Sequence, residues 1–189
     1  FEWQRALLER GHDVGVFAMT HERNRDCAQS RWFVSQVDFR GPGNALSRLR
    51  SAARSLYSRE ARSRLRDLVA AMRPDLAHVH SYCYQLTPSI FEPLRSAGVP
   101  VVQTAHEYYH ACANQHLYDT RLQAVCEACR RSRFAPLRRR CLKGSLSASA
   151  AAFAAKLLDD GLRLSRRGID RIVAPSAFMR DRIVEAEWP

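Results

Sequence analysis

The chain has 189 residues, 46% of them hydrophobic, and its 30 Lys and Arg against 19 Asp and Glu leave a net charge of +11. This is enough for one domain with a real core, whereas no apolar run approaches the ~20 residues of a spanning helix and no signal-peptide pattern is present. Six cysteines, one C-x-x-C pair among them, read as reduced thiols or metal ligands and not as a disulfide framework, and the positive charge draws phosphate on nucleic acid, anionic lipid or a nucleotide leaving group.

The opening F-E-W-Q-R-A-L-L-E-R-G-H is the back half of an amphipathic helix stopped by Gly11. Because the chain also ends abruptly, at Trp188-Pro189 beyond another helix, it is expected to be a fragment of a longer protein. Asp13 to Met19 predicts a buried strand that exits into Thr20-His21, and Trp32 to Phe39 an edge-like strand ended by Gly41 to Gly43. From Leu46 to Met72 apolar residues recur at helical spacing, giving one long helix or two with a dense Arg face, stopped by Pro74.

Arg73 to Tyr108 predicts a strand, helix, strand unit. R-P-D-L-A-H-V-H supplies the first strand and V-P-V-V-Q-T-A-H-E the second. Between them Thr87 is expected to cap a helix, Pro88 to take its first turn, and Gly98 to close it in the left-handed region. Glu107 to Arg140 has no clean period and carries His, Cys and aromatic residues; a loop of that length is usually functional or stapled. An Ala-rich helix from Ser145 to Leu158, a last strand from Asp170 to Ala174, and a helix capped by Ser176 with Phe178, Ile183 and Val184 inward complete the chain. Strands alternating with helices give an α/β domain, doubly wound and Rossmann-like, with a mainly parallel sheet.

In such sheets the ligand crevice lies outside the carboxyl ends of the strands, the edge that the helices leave free. The two strands of the unit exit into His80-Ser81 and His106-Glu107, so these residues are expected to line a crevice. His106 can donate or accept a hydrogen bond near neutral pH, suited to orienting a hydroxyl or easing proton transfer. Glu107 could steer it. Thr20 and His21 leave the first strand the same way, while His78 lies deeper and reads as a satisfied buried histidine.

Cys112, Cys126, Cys129 and Cys141 form the second constellation. Cys126 and Cys129 have the spacing that presents two thiolates to one tetrahedral metal, and Cys112 and Cys141 could arrive from either side of the loop to complete a structural zinc site, with His110 or His116 as substitutes. The alternative is four reduced thiols, some buried as small hydrophobes. Cys27 and Cys83 lack partners in this pattern and read as structural.

R-G-H-D-V, R-P-D-L-A-H-V-H, G-V-P-V-V-Q-T-A-H-E-Y, then Cys112 with C-E-A-C after it, and I-D-R-I-V-A-P-S-A-F-M-R-D, in this order, resemble the N-terminal domain of a family 4 glycosyltransferase of the GT-B fold. The resemblance runs over essentially all of residues 1–189, read as one domain. It implies two facing Rossmann-like domains with the active site between them: the N-terminal domain binds the acceptor, the C-terminal domain binds a nucleotide-sugar donor, and the sugar is transferred with retention of configuration. It gives His106 contact with the donor sugar or acceptor, the catalytic position; from their own places at the strand ends, Glu107 is expected to act beside it and His80, Ser81, Thr20 and His21 to bind the acceptor. No cofactor is implied for catalysis. The family's glycine-rich loop would lie upstream of Phe1, and its donor domain with paired glutamates lies outside the chain. Where relatives read H-D and C-P, this chain has His106-Glu107 and Cys112-Ala113.

The acceptor implied is a glycan or a lipid-linked glycan, the location the cytoplasm, and the arginine-rich face suits peripheral attachment to an anionic membrane surface. The competing class is a zinc-stapled α/β binding module for an anionic glycan or nucleic acid without chemistry. Nucleic acid fits less well, because basic residues are not interleaved with aromatics and there is no second C-x-x-C.

Overall fold

Arg73 to Thr104 folds as the expected strand, helix, strand unit, and the rest of the chain is arranged around it. The computed structural model describes residues 2–37, 45–119 and 121–188, and of residues 45–48 the backbone alone. The expected G-P-G turn at Gly41 to Gly43 lies outside the described residues. In chain order the helices are α1 (Glu2–Glu9), α2 (Ala45–Leu56), α3 (Arg59–Met72), α4 (Phe91–Ser96), α5 (Ala128–Arg131), α6 (Ala135–Arg139), α7 (Leu146–Leu162), α8 (Leu164–Gly168) and α9 (Ala177–Glu185). The strands are β1 (Ala77–Val79), β2 (Val101–Thr104), β3 (Tyr118–Asp119), β4 (Ala124–Val125) and β5 (Arg171–Val173), with short 3-10 turns at Ala28–Trp32 and Pro88–Ile90.

β1, β2 and β5 form a parallel sheet in that order, Ala77 opposite Val101 and Gln103 opposite Ile172. β3 and β4 make a separate antiparallel pair. The molecule is therefore mixed α/β with a small parallel sheet among mostly helical elements, compatible with half of a GT-B fold but without the large parallel sheet expected.

Two expected strands account for the difference. Asp13 to Met19 makes one isolated parallel bridge, Met19 to Val34, and no ladder. Of its would-be neighbour only Trp32 lies in the 3-10 turn at Ala28–Trp32; Val34 exchanges backbone bonds with Ala18 and Thr20, and beyond it side chains take amides that a strand would have paired. Ser35 N donates to Glu60 Oε1 at 3.0 Å and Val37 N to Gln85 Oε1 at 2.8 Å, while Gln85 Nε2 donates back to Val37 O at 3.2 Å. With the amides of Ser35 and Val37 taken in this way, pairing among the described residues stops at the Val34 bridge.

The Leu46 to Met72 periodicity resolves into two helices because Ser58 caps the second, accepting from Ala61 N at 3.1 Å. Gly98 adopts φ +68° as expected of a closing glycine. Thr87, however, caps nothing: its Oγ1 accepts from Ser58 N at 3.0 Å and meets Ser89 Oγ at 2.9 Å, tying the unit to the start of α3. Ser145 and Ser176 do cap α7 and α9. On α9, Met179 and Ile183 face the core, whereas Phe178 and Val184, expected inward, are exposed.

The core is one cluster in which Tyr82, Ile90, Phe91, Leu94 and Val101 meet Leu65, Leu68 and Val69 of α3 and Ile169, Met179 and Ile183 from the C-terminal third. Glycine sets one of its contacts. At Gly168 of α8 a Cβ would lie 2.2 Å from Phe91 Cβ, whereas at Gly161 of α7 it would meet nothing within 4 Å. Gly168→Ala is therefore expected to destabilise the fold by about 1–3 kcal/mol through overpacking, while Gly161→Ala should be neutral or stabilising by up to about 1 kcal/mol through helix propensity. Urea midpoints of the two variants against the parent check both signs.

Candidate functional site

β1 and β2 end side by side, so what leaves their carboxyl ends is brought together by the register. Three side-chain hydrogen bonds cross between the two strand ends. His78 Nε2 meets Thr104 Oγ1 at 2.8 Å, His80 Nδ1 meets His106 Nε2 at 2.9 Å, and Ser81 Oγ donates to Glu107 Oε2 at 3.3 Å. By register His78 lies opposite Val102, so its partner Thr104 sits one pleat period further along β2 on the same face. His78, His80, Ser81 and His106 are exposed and Glu107 is half-buried. His78 was expected to be buried; it is solvent-facing, and its ring lies 4.4 Å from that of His80 and edge-on to Trp3 of α1 at 5.9 Å. Burial, followed by the proximity of His78 and His106, holds His80 below the usual histidine range.

Four of the six expected site residues, His80, Ser81, His106 and Glu107, thus form one ladder. Thr20 and His21 do not join it. Thr20 N donates to Val34 O at 2.7 Å as part of the bridge to Val34, and His21 Nδ1 accepts from Arg23 N at 3.1 Å in a local turn. Thr104 belongs to the ladder and was missed; its signal is the period-two spacing that puts it on the face of His106. At the opposite, amino-terminal ends of the same strands, a groove of about 660 Å³ runs between α3 and α4, lined by Arg62, Arg66, Arg73, Pro93 and Val99. It lies away from the histidines. Arg62 pairs with Glu92 and Arg66 with Asp67 beside it.

The four-cysteine zinc expectation is corrected. All six cysteines are free, and among the described residues no group of three or more His, Cys, Asp or Glu side chains is disposed to hold a metal ion, so neither His110 nor His116 completes one. Two of the thiols, Cys112 and Cys129, have protein partners instead. As a thiol, Cys112 donates to Asn114 Oδ1 at 2.9 Å. A hydrogen bond from Cys129, helped by the backbone amides of Leu117, Asn114 and Gln115, holds Cys112 down at about 6, while the same bond and burial push Cys129 up. Burial raises Cys141 to about 11.

What staples the long segment is a set of ion pairs and polar contacts. Glu127 accepts from Arg182 of α9 at 2.6 Å, Arg130 meets Glu185 at 3.0 Å, and Asn114 Nδ2 donates to Tyr118 O at 2.9 Å.

The chain matches the family model for Glycosyltransferase Family 4 over residues 1–187. No match was found among curated proteins or among solved structures. Among the described residues, no helix is long and apolar enough to cross a membrane.

His110, considered above as a metal ligand, is a core residue, 3% exposed. Its Nε2 donates to Gln103 Oε1 on β2 at 2.9 Å, Trp188 lies against its ring at 4.1 Å, and its buried Nδ1 has no partner. Burial, then the charges of Lys156 and Arg166, push its pKa from 6.5 to about 3. The unfolded chain therefore takes up a proton below about 6.5 that the folded chain refuses down to about 3. Stability is complete above that window and falls as pH descends through it, by up to about 1.4 kcal/mol per pH unit. Urea unfolding at pH 7, 5 and 4 should show this slope in the parent and a flatter one in His110→Phe; equal slopes would assign the acid sensitivity elsewhere.

Proposed function

Because the chain belongs to glycosyltransferase family 4, we propose that it is the acceptor-binding, N-terminal half of a retaining enzyme that moves a sugar from a nucleotide-sugar donor to a glycan or lipid-linked acceptor. The observation that carries this reading is the exposed ladder of His78–Thr104, His80–His106 and Ser81–Glu107 at the carboxyl ends of two parallel strands. Open parallel sheets bind ligands at that edge.

Transfer breaks the bond from the anomeric carbon to the phosphate oxygen of the nucleotide and makes a bond to the acceptor oxygen, whose proton must leave. His106 is the group in this reading that contacts the reacting sugars. It is an imidazole exposed at the edge and held by a neighbour, so it can hydrogen-bond a sugar hydroxyl without first being ordered. Glu107, held by Ser81, supplies an acceptor for a further hydroxyl. Thr20 and His21, which stand outside the ladder, are proposed as acceptor contacts only from their place after the Asp13 to Met19 segment. The donor's diphosphate is assigned to a second domain facing this edge, and residues 1–189 to a single domain. An anionic bilayer on the cytoplasmic face is the partner assigned to the arginine-lined groove between α3 and α4.

In the complete protein, His106→Ala is expected to lower turnover about 100-fold or more with an unchanged circular dichroism spectrum. Release of nucleotide diphosphate from a panel of nucleotide sugars, with and without the variant, measures it. Full activity in the variant would remove His106 from the chemistry.

A further inference from the structure

We infer that His80 is a positioning residue: it occupies Nε2 of His106, so that the nitrogen His106 offers to substrate is Nδ1. The word substrate rests on the function proposed above; the histidine pair itself does not.

The two rings are joined Nδ1 to Nε2 at 2.9 Å, with centroids 5.2 Å apart and planes within 26°. A neutral imidazole has one donor nitrogen and one acceptor nitrogen. Two neutral rings that share a hydrogen bond therefore fix each other's tautomers. If His80 donates, His106 carries its proton on Nδ1 and presents a donor; if His106 donates, its Nδ1 presents a lone pair. Either way His106 has one tautomer and one available nitrogen, where a free histidine would interconvert between two.

His80 is itself held. Its ring lies on that of His78 at 4.4 Å, and Nε2 of His78 is bonded to Thr104 at 2.8 Å. The backing runs through β1 and returns to β2 two residues before His106. This is the arrangement of an oriented imidazole, in which a second group sets the ring angle and the tautomer of the first. His80 is thereby spoken for at Nδ1 and is not free to grip an acceptor with that atom, the role that its position alone had suggested.

The test needs no substrate, so its outcome is separable from that of the proposed function. In the chain labelled with 15N at its imidazoles, long-range 1H–15N correlation spectra at pH 8 should show His106 as a single tautomer, with a scalar coupling across the N–H···N bond to His80. His80→Phe keeps a ring against His78 but has no nitrogen, and should collapse the two His106 nitrogen signals toward the averaged values of a free imidazole. His80→Asn puts an amide where Nδ1 was and should restore a single tautomer. A tautomer mixture at His106 in the parent, or an identical His106 pattern in the parent and His80→Phe, overturns the assignment. If His80→Phe does not fold, the parent spectrum alone decides.

Discussion

Ala77 lies opposite Val101 in a parallel pair, and that register decides which side chains share the open face at the strand ends. Side chains on one face recur every second residue, so a histidine at 78 and another at 80 must fall beside 102, 104 and 106 of the neighbouring strand. A slip by one residue would send both histidines to the buried face and Val79 to solvent. The pairing of His80 with His106 and of Ser81 with Glu107 follows from this register, although both pairs lie beyond the last ladder hydrogen bonds.

The register is held from the strand starts and from behind. Asp170 accepts from Val101 N at 2.7 Å through its carboxylate, and its own amide donates to Val101 O at 2.9 Å, a reciprocal clamp between β2 and the entry to β5. Behind the sheet, Tyr82, buried immediately after the His80-Ser81 corner, donates to Ser165 Oγ at 3.1 Å, and Ser165 donates to Asp159 at 2.7 Å. Tyr82 also packs edge-on against Phe91 and Tyr109. Buried polar groups satisfied in a chain of this kind fix geometry as well as contributing stability. The same tyrosine that anchors the core therefore fixes where the chain turns after His80, which is where the site begins.

The segment from Glu107 to Arg140 shows how a long irregular stretch is secured without a metal. Asp119, 2% exposed, receives the amides of Arg121 and Leu122 at 3.0 and 3.3 Å and so forms the turn between β3 and β4. His110 enters the core beside Gln103 and Trp188, and Glu127 and Arg130 pair with α9. The cysteines that looked like ligands sit among these anchors as small groups, Cys112, Cys126 and Cys141 buried and Cys129 partly so, and the hydrogen bond from Cys129 holds Cys112 below the usual thiol range.

What the amino-acid order determined by itself was local and periodic. Gly98 closes its helix, Ser145 and Ser176 begin theirs, and the two apolar runs ending in His80 and His106 become adjacent parallel strands, because capping, turn and alternation signals act within a few residues. The family, too, was legible in the order of the motifs. The tertiary structure decided everything that depended on groups far apart in the chain. Thr87 reads as a cap from its neighbours, yet it is claimed by Ser58 from 29 residues away. Trp32 to Val37 alternates like a strand until Glu60 and Gln85 take its amides. Cys126 and Cys129 have metal-ligand spacing, but spacing fixes only two corners of a tetrahedron, and among the described residues no further ligands are brought to it. Short-range propensity is a property of sequence; who satisfies a buried donor, and which nitrogen of His106 remains free, is settled only when distant segments pack.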